Sequence, residues 1–459
     1  MNNFCYFIAN EYEQLKLKSD CEDNDTDRHG IFKNLKSLID QTQDSNQNDE
    51  QELSDQDGQN ENAKLLGLKV KKNKVRASCF VGQVWGPQFE ESRNKVPITV
   101  LPKKPKRENS AVDPLQMAQE CFRNSEIAKH IKIKKLFKYW PDEEPLQSHF
   151  DLDCVRFFVI SFYLIELSKL CKRHLRNEFI RVQENLVSKV KGKILVHQNF
   201  RMNTVRGRVD RMCCQYQKHS LDSPENQILR AALEQCLKEI RRNHNMFQGT
   251  KVHEWSLHCD RALTGVTLRR ISMSEFHSIK LGGLKKAYKK PIEHAKWILR
   301  LLGNDPSKGP EDNDRPETIY PFAINMNVLF ERYCEALLRK SGECEVISTG
   351  QEFGDGINNV RPDFIVEKNH EYHVMDAKYK YDWKKDGAYR NDVFQVVAYT
   401  RHDKVKEMCS NKYPTKTIIM APTMSGDGQK QELIQHDESF NTDYSEPKLE
   451  LHHVNLPTR

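Results

Sequence analysis

The chain has 459 residues, several times the usual domain length, so two or three folded units are expected, each large enough to bury its own core. A mean hydropathy of −0.76, with no apolar run near the roughly 20 residues that a membrane span requires, excludes a transmembrane helix. The formal charge of +7 hides an asymmetry: residues 1–62 carry 15 Asp and Glu against 5 Lys and Arg, and subtracting them from the totals of 65 and 72 leaves 50 acidic and 67 basic residues, or +17, an excess suited to handling phosphate backbones.

Residues 1–10 lack both a basic n-region and a long apolar h-region, so no secretory signal is expected and a cytoplasmic location is. Phe32, Leu35, Leu38 and Ile39 have the spacing of a short helix. From Gln41 to Asn62 the chain is almost entirely Asp, Asn, Gln, Glu and Ser with one leucine, too little apolar surface to offset chain entropy. Residues 1–64 are therefore expected to form an acidic, largely disordered extension. Order should begin near Leu65. Val70, Val75, Ala77, Phe80, Val81 and Val84 alternate with polar residues before Gly86-Pro87, and Pro97 to Pro102 is a second strand-like run leading into the basic Lys103 to Arg107. These features predict a small β-rich N-terminal module over 65–150, with Asp113-Pro114 capping a helix towards Cys121.

Residues 151–303 read as a mixed α/β middle domain. Val155, Phe158, Ile160, Tyr163, Leu164, Leu167, Leu170 and Cys171 predict one long buried helix. Lys193 to Gln217 reads as extended, and Ser223-Pro224 opens a second helix through Ile240. His253 and His258 are five residues apart and do not share a helical face as the histidines of H-E-x-x-H would, so they are taken as structural. Lys280, Lys285, Lys286, Lys289 and Lys290 track a phosphate backbone or form a solvated helix face. The 13 cysteines contain no C-x-x-C pair and read as reduced packing residues. A polar, turn-rich loop at 304–316 marks a boundary before a last domain over 317–459.

In that domain the pattern is helix, strand, strand, strand, helix, strand. Met326, Phe330, Tyr333 and Leu337 lie on one helical face with Glu331 near its edge. Cys344 to Thr349 reads as a strand and Gly354-Asp355-Gly356 as a turn. Val360 to Val366 and Tyr372 to Tyr379 read as a hairpin around Glu367-Lys368-Asn369-His370. Asp363 and Asp376 then become diagonal cross-strand neighbours, roughly 5.5–8 Å apart, and Asp376 and Lys378 point to the same side. Two carboxylates and an ammonium at one spot suit a divalent ion, which relieves the repulsion between the acids and acts as a Lewis acid on a phosphodiester, while Lys378 orients or activates water. Asp392 is expected to cap a final helix with Val393, Val396, Val397 and Thr400 as its buried stripe, followed by a strand at Thr417 to Ala421.

The order of these elements resembles the PD-(D/E)xK restriction-endonuclease-like core, a mixed sheet flanked by helices. The wording resembles the McrC family, the nuclease subunit of McrBC-type restriction systems, in Asn325 to Glu331, Arg361-Pro362-Asp363-Phe364, Met375 to Lys380, Asp392 to Tyr399, Ser220 to Leu233 and Ile98 to Lys103. The resemblance covers about residues 65–425, and the acidic N-terminus departs from it. It implies a multidomain α/β endonuclease subunit cutting double-stranded DNA with Mg²⁺ or Mn²⁺ held by Asp363, Asp376 and Glu331. Asp363, Asp376 and Lys378 are the implied catalytic core, with Glu331 a supporting acid and Gln395 a further site residue. The implied partner, in a hetero-oligomer, is a GTP-hydrolysing AAA+ protein that recognises modified DNA, and the β-rich module is a candidate for meeting it. GTP enters only through that partner, since this chain has no G-x-x-x-x-G-K-[ST] motif. The alternatives are a non-catalytic activator of the GTPase with a vestigial nuclease fold and a stand-alone repair nuclease.

Overall fold

The computed structural model describes residues 5–11, 13–19, 35–36, 66–71, 74–89, 92–104, 111–173, 175–302, 318–353, 360–380, 389–423, 434–440 and 448–458. It is a mixed α/β protein in two compact units. In chain order the elements used below are β1 (Cys5–Asn10), β2 (Lys16–Ser19), β3 (Phe80–Phe89), β4 (Ser92–Leu101), α1 (Pro114–Arg123), β5 (Phe137–Tyr139) and α2 (Leu152–Lys172). There follow β6 (Glu178–Val187), β7 (Lys193–Ile194), α3 (Val196–Met202), β8 (Arg211–Ser220) and α4 (Pro224–Arg242). The last are β9 (Phe322–Asn325), α5 (Met326–Ser341), β10 (Glu345–Thr349), β11 (Phe364–Lys368), β12 (Glu371–Ala377), α6 (Tyr389–Thr400), β13 (Lys416–Thr423), β14 (Ile434–Phe440) and β15 (Lys448–Asn455).

The first unit joins residues 1–158, 249–251 and 311–459, so the expected separate modules at 65–150 and 317–459 fall together in it. It contains two six-stranded sheets. One runs β2-β1-β4-β3-β9-β5, the other β10-β11-β12-β13-β15-β14. In the first sheet β9 pairs antiparallel with both β3 and β5, so four residues just before α5 complete a sheet begun at Cys5. Ala323 and Ile324 are buried there beside Val81. The strand β3 runs through Gly86-Pro87, which was expected to end it, because the β3–β4 register shifts between Trp85 and Gln88 and a bulge tolerates a proline that cannot donate to the ladder.

The expected disordered extension over 1–64 is not uniform. Phe7 to Asn10 pair parallel with Ile98 to Leu101, and Phe7, Ala9, Leu15 and Leu35 are buried in one core with Val84, Ile98, Val100 and Ala323. The acidic composition of the segment conceals this short apolar strand. Of the expected helix around Phe32, residues 35 and 36 are helical, and the linker 41–62 lies outside the described residues, as does the 304–316 loop.

Gly82 shows how closely β9 is seated. A Cβ built on it meets the Phe322 carbonyl oxygen at 2.2 Å, backbone that cannot rotate away. Gly82→Ala should cost about 3 kcal/mol, the upper range for overpacking, seen as a lower urea midpoint at unchanged m-value; stability within about 0.5 kcal/mol of the parent would show that the sheet opens there without penalty.

The second unit comprises residues 159–248 and 252–310. All eight apolar residues expected on the long helix are buried in α2, as are Phe157, Val159 and Phe162 between them. Ser223 caps α4 by accepting from Asn226 N–H, and Pro224 occupies its first turn. The stretch expected to be extended from Lys193 to Gln217 contains the helix α3, whose Val196 and Phe200 are exposed. It interrupts a long antiparallel ribbon of β6 and β8. His253 and His258 are exposed on the helix Val252–Ala262, and Lys285 is ion-paired to Glu178 and Glu225.

Candidate functional site

The hairpin of β11 and β12 builds the site. Asn369 and His370 both take positive φ, 53° and 66°, the requirement of a two-residue turn whose twist matches the strands. The turn sets Phe364 opposite Met375. Asp363 immediately precedes β11, and Asp376 of β12 lies one residue beyond the Phe364–Met375 pair. The Ala377 N–H donates to Asp363 Oδ2 at 2.8 Å, and Gly350 N–H donates to the Asp363 carbonyl at 2.8 Å. β13 runs parallel beside β12, and Lys378 N–H donates to the Met420 carbonyl at 2.9 Å. Asp376 is 2% exposed, while Asp363, Lys378 and Gln395 are half-buried.

Lys378 Nζ lies 2.8 Å from Asp376 Oδ2 and donates to Gln395 Oε1 at 2.9 Å. Gln395 Nε2 in turn donates to the Tyr399 hydroxyl at 2.6 Å. Asp376 Oδ2 is buried, and the charged group that meets it is the Lys378 ammonium at 2.8 Å. Such a buried oxygen is costly unless a cation or donor meets it. Burial is the main cause that raises the carboxyl of Asp363 well above its usual range, helped by Asp376 and Glu331 and opposed by the Ala377 N–H. Burial likewise raises Asp376 against the opposing pull of Lys378. Burial alone would lower Lys378, but Asp376, Asp363 and Asp392 outweigh it and push it up. Two neighbouring acids whose ionisation is resisted are oxygen donors of the kind a hard divalent ion takes.

Glu331 stands differently. It is on α5, electrostatically close to Asp363, but its carboxylate is bound by Arg332, which also donates to Glu335 at 2.7 Å. Among the described residues no group of three or more His, Cys, Asp or Glu is arranged to hold a metal ion. The structure thus brings Asp363, Asp376, Lys378 and Gln395 together and leaves Glu331 beside them in an ion pair. Asp392 was expected to cap the last helix. It lies instead inside the first turn of α6, where its two oxygens accept from Lys380 Nζ at 3.1 and 3.0 Å. The buried side of α6 is Asp392, Val396, Tyr399 and Thr400, with Val393 and Val397 only partly covered. The sequence reading missed Arg332, which directly follows Glu331, and the roles of Asp392 and Tyr399, which share the Asp392 to Tyr399 stretch with Gln395. Gly354-Asp355-Gly356 lies outside the described residues.

The raised acid has a stability consequence. The folded chain keeps the Asp363 proton at pH values where the unfolded chain, near 3.8, has released it, so stability falls as pH rises from that value toward the folded pKa. Asp363→Asn removes this loss and retains an oxygen to accept from Ala377. It should raise the melting temperature at pH 7 in EDTA by a few degrees, and an unchanged or lower value would show that the acid is not under strain.

No helix among the described residues is long and apolar enough to cross a membrane. No curated protein is a match to this chain. Two solved structures from Thermococcus gammatolerans are similar to it. One is a half-complex from a tetradecameric assembly of McrB AAA+ hexamers with bound McrC, 18% identical, covering 98% of this chain and 94% of that chain at a TM-score of 0.39. The other is the McrBC complex, 18% identical, covering 73% and 87% at a TM-score of 0.29. The family model for the McrBC 5-methylcytosine restriction system component matches residues 79–409, a span that takes in β3, α4 and every site residue above. With well over half its length matched, the chain belongs to the McrBC 5-methylcytosine restriction system component family.

Proposed function

We propose that this chain is the DNA-cutting subunit of a McrBC-like, modification-dependent restriction system, with a PD-(D/E)xK centre at Asp363, Asp376 and Lys378. The observation that carries the reading is the mutually repelling pair of aspartates, Asp376 buried and Asp363 half-buried, with a lysine held beside it, an arrangement with no structural benefit of its own. Asp363 and Asp376 would hold Mg²⁺ or Mn²⁺, which supplies Lewis acidity toward the scissile phosphate. Lys378, kept protonated by three acids, orients the attacking water and stabilises phosphoryl charge, a role that suits its raised pKa better than proton abstraction. Gln395 aims the ammonium, and Tyr399 aims Gln395. Glu331 joins the site only when Arg332 releases it.

The family supports an AAA+ partner that hydrolyses GTP, which this chain would stimulate in a hetero-oligomer, and double-stranded DNA bearing 5-methylcytosine as the target. The pairing of Glu331 with Arg332 is the observation that favours the second reading, an activator of the GTPase with a vestigial centre. The test is incubation of the purified chain with Mg²⁺, methylated or unmethylated plasmid, the GTPase partner and GTP. Cutting that requires the partner, GTP and Asp376 supports the nuclease subunit. GTPase stimulation with no cutting by the parent chain sinks it in favour of the activator.

A further inference from the structure

The residue after Lys378 carries an unusual connection. Tyr379 is 3% exposed, its ring centroid lies 5.4 Å from that of Phe330, the neighbour of Glu331, and its hydroxyl donates to Glu11 Oε2 at 3.1 Å. Glu11 ends β1. Its N–H donates to the Leu101 carbonyl at 3.0 Å, extending the β1–β4 pairing, and the Lys103 N–H donates to the same Oε2 at 3.1 Å. The side chain is wholly buried and its other oxygen, Oε1, has no partner. A glutamate that only ended a strand would face solvent, whereas here a carboxyl is kept inside the protein at considerable cost to receive two donors. One donor comes from the segment bearing Lys378.

We propose that Glu11 is a positioning residue for the Lys378 segment, acting through the Tyr379 hydroxyl, so that the N-terminal strand β1 is a working part of the cutting centre. This rests on the nuclease reading above. In the segment that Tyr379 anchors, Lys378 N–H reaches Met420, Lys380 N–H returns to the Lys378 carbonyl at 2.8 Å and Lys380 Nζ is held by Asp392, while the Lys378 side chain must sit between Asp376 and Gln395. Fixing the Tyr379 side chain on the opposite side from Lys378 removes the rotation of the strand end that would carry Nζ away from the aspartates. Burial pushes the Glu11 carboxyl up to about 8, against the opposing hydrogen bonds from Lys103 and Tyr379, so it is largely neutral at pH 7. A neutral amide with the same reach is therefore a close replacement, and alanine is not.

The experiment compares Tyr379→Phe, Glu11→Gln and Glu11→Ala in the full chain by plasmid cutting with partner and GTP, and by hydrogen exchange of the peptide spanning residues 376–380. Tyr379→Phe, which loses one hydroxyl and no packing, should reduce kcat about 10-fold with KM for DNA unchanged, and should speed exchange of the Lys378 and Lys380 amides by a similar factor. Glu11→Ala should do the same or more, and Glu11→Gln should restore both readouts to within about 2-fold of the parent. Parent-like cutting and exchange in Tyr379→Phe overturns the proposal, and so does a Glu11→Gln as impaired as Glu11→Ala. If the parent chain cuts nothing, the nuclease reading fails, and exchange alone then decides whether Glu11 holds the segment.

Discussion

Asp376→Ala should abolish cutting, by at least about 10³-fold, while leaving the chain folded and its stimulation of the partner GTPase unchanged. The size follows from what the residue does at once. On the proposed reading it is one of the two carboxylates that would hold a divalent ion, and its Oδ2 lies 2.8 Å from Lys378 Nζ. Removing it weakens the ion's site and leaves Gln395 as the remaining side-chain hydrogen-bond partner recorded for that ammonium. Folding should survive because burial already raises this acid against ionisation, so the native state gains little from its charge. Supercoiled plasmid nicking, followed beside GTP hydrolysis in the same reaction, checks both halves. Parent-like nicking would place the chemistry elsewhere in the chain.

Phe322→Ala should destabilise the first unit by about 3–5 kcal/mol, the range for emptying a large aromatic from a core. Phe322 is fully buried in β9, between Gln83 of β3 and Tyr139 of β5. Its ring stacks on Phe137 at 6.4 Å and meets Phe150 edge-on at 5.1 Å. Because β9 passes directly into α5 with Asn325 as its cap, the loss should reach the site as well as the sheet. Urea unfolding measures it. A change under about 1 kcal/mol would mean that β9 is an accessory strand. The same packing implies that a fragment beginning at residue 317 strips β9 of both neighbours and exposes Phe322 and Ile324.

Local signals were readable where the physics is local. Ser223-Pro224 and Asp113-Pro114 capped their helices as read, because a cap needs only a side-chain oxygen and the next few amides. The hairpin beside Asp363 and carrying Asp376 was readable from alternation around Asn369-His370. The family was readable from the motif wording. Less visible were α3, inside a stretch read as extended and with none of its residues buried, and β1, inside an acidic tail, which is decided by what packs on it rather than by its own composition.

By itself the sequence determined the long buried helix, the capped helices, the Asp363, Asp376 and Lys378 hairpin and the family, all set by periodicity or by residues close in the chain. Only the tertiary structure decided that β9 closes the N-terminal sheet, that Asp392 binds Lys380, and that Glu11 reaches Tyr379. Those pairings join residues up to hundreds of positions apart, and nothing in the local pattern of either partner records which distant group will satisfy a buried charge or complete a strand ladder.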